Sequence, residues 1–167
     1  MEKRFAIIGL GLMGGNLAKQ AIDKEFEVIG LTKGTVPEEL KEKGLEVAED
    51  YLQLKEKLSP PRKVMIYVPA GEIVDIVLED IQQNFEEGDI VIDGGNSYWG
   101  DSVRRAEKMK KKGIHFLDCG TSGGIEGARN GACFMVGGEK KAVEKIEPIL
   151  KALAVPEGYV YTGPSGT

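Results

Sequence analysis

Short apolar runs alternate along the chain with longer amphipathic segments that carry most of its charge. The runs are rich in β-branched residues and lack strict apolar–polar alternation, which is typical of strands buried on both faces. The strands predicted in this way are Phe5–Ile8, Glu27–Leu31, a weaker Leu45–Val47, Val64–Val68, Ile90–Ile92 and Phe116–Leu117.

The segments between these runs place apolar residues at helical spacing. Glycine follows several of them, as expected where a helix ends. Proline suits a helix's first turn, which supports a start at Pro37. The predicted helices are Leu12–Lys24, a short helix from Pro37 to Lys43 that stops at Gly44, one through Ile73–Ile81 that ends before Gly88, and one with Val103, Ala106 and Met109 on its apolar face that stops at Gly113.

Repeated strand–helix–strand units predict an α/β fold, with a mostly parallel sheet and helices on both faces. The tail departs from this repeat. It predicts a strand at Ala132–Val136, a helix at Ala142–Ala154 despite Pro148, and a last short strand at Tyr159–Tyr161. We therefore expect a Rossmann-type, doubly wound sheet with two or three extra C-terminal strands.

Composition excludes several classes of protein. The net charge of −5 over 167 residues argues against a nucleic-acid partner, which needs a basic face. No apolar run approaches the roughly 20 residues that span a bilayer, and the start lacks a signal-peptide pattern, so we expect a cytoplasmic protein without a membrane partner. Cys119 and Cys133 lie in apolar runs, where we expect small buried hydrophobic residues rather than a disulfide or a metal site.

The strongest local motif follows the first predicted strand and opens the first predicted helix. In a GxGxxG motif at this position, the first glycine permits a tight turn, the second lets the backbone approach a pyrophosphate, and the third lets helix and strand pack closely. The helix start then offers free N–H groups to the phosphates. The motif predicts one dinucleotide-binding domain over residues 1–167 with a cofactor loop of Gly9, Leu10, Gly11, Leu12, Met13 and Gly14.

The end of the second predicted strand bears on the choice of cofactor. A site that prefers NAD usually carries Asp or Glu there, roughly 20 residues after the glycines. Here the sequence is Thr32, Lys33 and Gly34, with a cation and no acid. Lys33 could pair with a 2′-phosphate, which favours NADP, and NAD stays open.

Three further loops follow strand ends on one edge of the predicted sheet, where open α/β sheets bind ligands. They are Val68–Gly71, Asp93–Ser97 and Gly120–Gly124. Each loop combines small residues with exposed backbone, and they add the carboxamide of Asn96 and the hydroxyl of Ser122. Any one could be an ordinary turn, but three at corresponding strand ends predict a binding site.

These segments resemble the decarboxylating 6-phosphogluconate dehydrogenases, within the β-hydroxyacid dehydrogenase superfamily. The resemblance covers essentially the whole chain. GLGxMG and SGG occur across the superfamily, whereas IDGGNS is far more particular to the 6-phosphogluconate enzymes. The matching segments are GLGLMGGN from Gly9, VPAG from Val68, IDGGNS from Ile92, TSGGIEGARNG from Thr121 and FMVGG from Phe134.

The resemblance implies NADP-dependent oxidation of a sugar acid phosphate, 6-phosphogluconate, followed by loss of carbon dioxide. It implies a homo-oligomer in the full-length form. Thr32, Lys33 and Gly34 stand where NADP-dependent members carry Asn-Arg-Thr, a departure that leaves NAD open. The implied contacts are Gly9 to Gly14, Val68, Pro69 and Ala70 with the cofactor, Asn96 with both cofactor and substrate, and Ser122, Gly123 and Gly124 with the substrate.

The resemblance places no catalytic residue within the chain. Family members continue past a GPSG segment into a helical domain whose first long helix carries the catalytic lysine and an acid, so we expect those residues beyond Thr167. His115, the only histidine, precedes a strand and is expected to pack or to face solvent. Two other interpretations remain, namely another β-hydroxyacid dehydrogenase and a non-catalytic nucleotide-binding module.

Overall fold

The structure, a computed structural model, describes residues 3–167 as a single α/β unit. None of its helices is long and apolar enough to cross a bilayer. The strands are β1 (Arg4–Ile8), β2 (Glu27–Leu31), β3 (Glu46–Val47), β4 (Lys63–Ile66), β5 (Ile90–Asp93), β6 (His115–Ser122), β7 (Ala132–Gly137) and β8 (Ala154–Gly163). The helices are α1 (Leu12–Asp23), α2 (Glu38–Glu42), α3 (Tyr51–Glu56), α4 (Glu72–Asn84), α5 (Trp99–Lys110), α6 (Gly124–Asn130) and α7 (Lys140–Leu153).

All strands of the described residues belong to one sheet in the order β3-β2-β1-β4-β5-β6-β7-β8. The first six pair in parallel in the Rossmann order, β7 runs antiparallel to β6, and β8 runs parallel to β7. The predicted fold class and the extra C-terminal strands are confirmed. Strand order reverses between β1 and β4, which is where such sheets open a ligand crevice at their carboxyl ends.

Alternate residues of each central strand pack into cores on opposite faces of the sheet. Phe5 and Ile7 of β1 join the core covered by α1, α2, α6 and α7. Ala6 and Ile8 join the core covered by α3, α4 and α5. Both sides of these strands are therefore apolar, as the uninterrupted runs predicted.

Two helices were not predicted from the sequence, and the buried face of a third helix was predicted incorrectly. α3 and α6 were not predicted at all. Along α5 the buried residues are Ser102, Arg105 and Met109, whereas Val103, expected on the apolar face, is exposed. The face is rotated because Arg105 has polar partners beneath the helix.

The strands near the C-terminus are longer than predicted, and one cysteine differs from expectation. β6 extends to Ser122, and β8 begins at Ala154 rather than at Tyr159.

Both cysteines are free, but only Cys119 is buried. Cys133 is exposed because successive side chains of β7 face opposite sides, and Phe134 takes the buried side.

Candidate functional site

The glycine loop after β1 is shaped by two close packing contacts. Gly9 has a φ of +92°, and a Cβ there would lie 2.2 Å from the Tyr67 carbonyl oxygen. A Cβ on Gly14 would lie 1.9 Å from the carbonyl oxygen of Gly9. Both glycines are therefore required by the fold itself, whether or not a ligand binds.

Gly11 differs from its neighbours because it faces open space. A Cβ there would meet no atom of the described chain within 4 Å. Gly11 also precedes α1, whose N-terminus has no side-chain cap. The first N–H groups of a helix lack partners within the helix, and together with its dipole they favour an anion. The loop thus fits a pyrophosphate group.

A cavity of about 640 Å³ opens beside this loop, between the ends of β1 and β2 and the start of α3. We call it the β2-side cavity. One wall carries the predicted residues Thr32, Lys33 and Gly34, and the lysine side chain is exposed. The other predicted cofactor residues on this cavity are Gly9, Leu10, Gly11, Val68 and Pro69.

A further part of the lining of the β2-side cavity was not predicted. It consists of Glu49, Asp50 and Tyr51, at the start of α3. Asp50 caps this helix by accepting a hydrogen bond from the Gln53 N–H. Tyr51 is partly buried, which, with help from the Asp80 charge, raises its pKa to about 12. The lining of this cavity thus combines a cationic residue, Lys33, with an acidic and aromatic segment at the start of α3.

A second cavity of about 810 Å³ lies on the other side of the glycine loop, towards β6. We call it the β6-side cavity. It shares Gly11, Tyr67, Val68 and Pro69 with the β2-side cavity, so the two are adjoining. The other predicted site residues on its wall are Leu12, Met13, Ala70, Asn96, Ser122 and Gly124.

Asn96 and Ser122 come from different loops and line the same cavity. Both are exposed, and their side chains bond to no other described residue. Tyr98, not Asn96, stands at the N-cap of α5, and no side chain caps that helix. The structure therefore gives neither side chain a role in helix capping or in a turn.

Two predicted site residues do not line either cavity. Gly14 packs against Gly9, as described above. Gly123 has a φ of +122°, and a Cβ there would lie 3.0 Å from the Gly127 Cα. Gly123 thus permits the turn into α6. The segment before it, Gly120 to Ser122, was expected as a loop but is the end of β6, paired with β7.

The loop after β5 is built around a buried carboxylate. Asp93 accepts hydrogen bonds from the Gly95 N–H at 3.0 Å and from the Ser97 hydroxyl at 2.6 Å. Burial raises the pKa of Asp93, and these hydrogen bonds oppose that rise. Asp93 and Ser97 therefore hold the loop that presents Asn96.

A fully buried arginine joins this loop to the one before α4. Arg105 donates to both oxygens of Asp75 at 3.1 Å, to the Gly71 carbonyl at 2.9 Å and to the Ser97 hydroxyl at 3.2 Å. Its guanidinium also lies 3.6 Å from the Asp93 carboxylate. Hydrogen bonds from Arg105, and then from Arg104, lower the pKa of Asp75 to about 2. We call this set the Arg105 clamp.

The residues that support the site were missed for an identifiable reason. Arg105 lies 30 residues from Asp75, and Tyr67 lies 54 residues from its partner Thr121. No local motif connects such pairs. The one available signal is Arg105 itself. It is a charged residue next to Ala106, which was predicted to lie on the apolar face of an amphipathic helix.

His115 lies far from both cavities. It stands at the amino end of β6, roughly 20 Å from Ser122 at about 3.3 Å per residue. Its Nδ1 is 3.0 Å from a Glu139 carboxylate oxygen, beside a separate cavity of about 660 Å³. This placement offers His115 no contact with a ligand at the carboxyl ends of the strands.

Comparison with known proteins gives a consistent result. A family model described as the NAD-binding domain of 6-phosphogluconate dehydrogenase matches residues 4–163. The Bacillus subtilis protein YqeC, provisionally named a 6-phosphogluconate dehydrogenase, is 46% identical over 165 residues, covering 98% of the chain and 55% of YqeC. A second Bacillus subtilis protein, named an NAD(+)-dependent decarboxylating 6-phosphogluconate dehydrogenase, is 36% identical over 175 residues, covering 99% of the chain and 37% of that protein.

Among solved structures, the Plasmodium falciparum 6-phosphogluconate dehydrogenase superposes with a TM-score of 0.91 at 34% identity. The match covers 98% of the chain and 37% of the parasite protein. That enzyme is described in complex with its cofactor NADP+ and with its substrate 6-phosphogluconate. The chain thus spans little more than half the length of YqeC and less of the other two proteins.

Proposed function

Since the chain belongs to the family of NAD-binding domains of 6-phosphogluconate dehydrogenase, we propose that it forms the cofactor-binding half of an enzyme that oxidatively decarboxylates 6-phosphogluconate with NADP. The observation that carries the proposal is the pair of adjoining cavities on either side of the glycine loop. One suits the adenosine half of a dinucleotide. The other suits the nicotinamide half and a sugar acid.

In the proposed reaction C3 of the sugar acid loses a hydride and its hydroxyl loses a proton to a base. The resulting β-keto acid loses carbon dioxide, and protonation of the carbon that carried the carboxylate leaves a pentulose phosphate. The bound nicotinamide supplies the hydride acceptor. The chain positions the reactants, because the glycine loop holds the cofactor phosphates while Asn96 and Ser122 orient the sugar acid.

We also propose a cytoplasmic location, which two free thiols support, and a homo-oligomer at full length.

The preference for NADP depends on Lys33. It stands at the end of β2, on the wall of the β2-side cavity, and its exposed ammonium can reach a 2′-phosphate. The acidic residues Glu49 and Asp50 line the same cavity. The lysine therefore has to offset a negative wall, which makes its charge decisive for a phosphorylated ribose.

Replacing Lys33 with aspartate should weaken NADP binding about tenfold or more and change NAD binding little. A charge-assisted phosphate contact becomes a repulsion, and tenfold corresponds to ~1.4 kcal/mol. Calorimetric titration with both cofactors measures the two affinities. Lys141→Asp is the matched control, because it makes the same charge change at an exposed position on α7. If NADP and NAD bind with equal affinity and Lys33→Asp changes neither affinity, Lys33 does not contact a 2′-phosphate. If neither cofactor binds, the assignment of the cavity to a cofactor is wrong.

Replacing Asn96 or Ser122 with alanine should lower kcat/KM for 6-phosphogluconate by about 10–100-fold in the full-length protein. Each change removes a polar contact to the bound sugar acid, which costs ~1–3 kcal/mol. Melting temperatures should change little, since neither side chain bonds within the described chain. Steady-state kinetics and thermal melts test both statements.

Ser97→Ala is the comparison for this pair of variants. Ser97 is next to Asn96 but bonds to Asp93 and Arg105, so its loss should lower stability. If Asn96→Ala and Ser122→Ala lose stability as Ser97→Ala does, and activity falls only in step with folded protein, the two residues are structural and the proposed substrate wall is wrong.

A further inference from the structure

Tyr67 occupies the wall common to the two cavities. It follows β4, is 9% exposed, and borders both the β2-side and the β6-side cavity. Its phenol oxygen lies 2.9 Å from Thr121 Oγ1, near the end of β6. Tyr67 therefore links the segment Val68–Ala70, beside the proposed cofactor, to the strand end that presents Ser122.

Either hydroxyl can donate in this hydrogen bond. The Thr121 hydroxyl also has the Cys119 carbonyl as an acceptor at 3.4 Å, so its own proton can point there while Tyr67 donates to Thr121. Burial raises the pKa of Tyr67 well above its ordinary value, so the phenol keeps its proton at any working pH.

The ring reaches Thr121 by crossing the end of β5, which lies between β4 and β6 in the sheet. Gly94 is the residue beneath it. A Cβ on Gly94 would lie 2.4 Å from the Tyr67 Cζ and 2.6 Å from its hydroxyl oxygen. The absence of a side chain at position 94 is what leaves room for the bond, so three strand ends are fitted together around one ring.

We infer that Tyr67 is a positioning residue: its hydrogen bond to Thr121 fixes the end of β6, and with it Ser122, relative to the nicotinamide half of the cofactor. This role rests on the proposed function. It assigns Tyr67 no contact with the reacting atoms through its hydroxyl, which is already bonded to Thr121. The adenosine half of the site, on the far side of the glycine loop, does not depend on the bond.

The inference predicts coupled losses in the full-length protein. Tyr67→Phe and Thr121→Val should each lower kcat/KM for 6-phosphogluconate about tenfold, as expected for one buried hydrogen bond. The double variant should lose no more than about one single variant, because both changes remove the same bond. Thr121→Ser keeps the hydroxyl and should retain wild-type kinetics. The Kd for NADPH should stay within about twofold throughout.

Several outcomes would overturn the inference. Unchanged kinetics in Tyr67→Phe, losses that multiply in the double variant, or parallel losses of NADPH affinity and melting temperature would each do so. Wild-type protein that does not oxidise 6-phosphogluconate would instead contradict the proposed function. Hydrogen exchange then tests the inference separately, because Tyr67→Phe should speed exchange of the amides of residues 120–122 several-fold and leave β1 unchanged. Unchanged exchange at 120–122 would refute it.

Discussion

Replacing Arg105 with methionine should lower the free energy of unfolding by about 3–5 kcal/mol, the usual cost of removing one partner from a buried ion pair. The side chain is 0% exposed, so no water replaces its contacts. The change leaves the buried Asp93 carboxylate without a cation and the Gly71 carbonyl without its donor. Urea unfolding measures the loss.

Arg104→Met is the matched control for this prediction. Arg104 is the preceding residue of α5 and bonds to the same Asp75 carboxylate, but its side chain is 52% exposed. Exposed ion pairs contribute ~0–1 kcal/mol, so this variant should be nearly as stable as the wild type. If the two variants lose equal stability, the Arg105 clamp does not hold the loops as described.

Acid should remove part of the stabilisation that the ion pair between Arg105 and Asp75 provides. The pKa of Asp75 is lowered from 3.8 to about 2, so its contribution is complete above about pH 4 and is lost as pH falls through about 2. In Arg105→Met the pKa of Asp75 should rise, because the hydrogen bonds from Arg105, which lower it most, are gone. The difference in stability between wild type and variant should therefore shrink between pH 5 and pH 2.5. A difference that stays constant over this range would assign the effect to packing rather than to the ion pair.

The clamp also shows which parts of the site the sequence could predict. The glycine loop and the Gly-Gly-Asn segment are local motifs that the sequence shows directly, although Gly9 and Gly94 are placed by contacts with Tyr67, which is distant in the chain. Asn96 and Ser122 could be assigned to one edge because parallel strands end on one side of a sheet. What holds Asn96 in place depends on pairs such as Arg105 and Asp75, which only the packing of α4 against α5 brings together.

The two missed helices have a similar explanation. α3 has six residues and buries only Leu54, so it shows no helical period. α6 follows Gly123 and begins at Gly124, both with positive φ, and it contains Gly127 as well, which locally favours a loop. It is helical because Gly127 and Ala128 are buried, with Ala128 in the core that α1 covers. Tertiary burial overrides local preference in both cases.

The proposed chemistry needs a proton acceptor that the described residues do not place at the substrate. Along the β6-side cavity of residues 3–167 the one titratable side chain is Tyr67, whose proton is held by burial and by Thr121. Asp93 is occupied by Ser97, Gly95 and Arg105. Asp118 lines an adjoining cavity of about 210 Å³, but it accepts a hydrogen bond from the Gly166 N–H. We therefore propose that a lysine and an acid from outside residues 1–167 complete the site.

The chain of residues 1–167 should then bind NADPH yet reduce NADP with 6-phosphogluconate at least ~10²–10⁴-fold more slowly than an enzyme of this type, the usual contribution of a placed acid or base. Absorbance at 340 nm measures turnover, and NADPH titration of the same sample shows that the fold is intact. A decarboxylating 6-phosphogluconate dehydrogenase in the same assay, with NADP and NAD, is the positive control. Turnover by residues 1–167 at the rate of this control enzyme would refute the proposal and make Asp118 the candidate proton acceptor. In that case Asp118→Asn should abolish the activity, because Asp118 is a partly exposed carboxylate that lines the adjoining cavity together with Asn96.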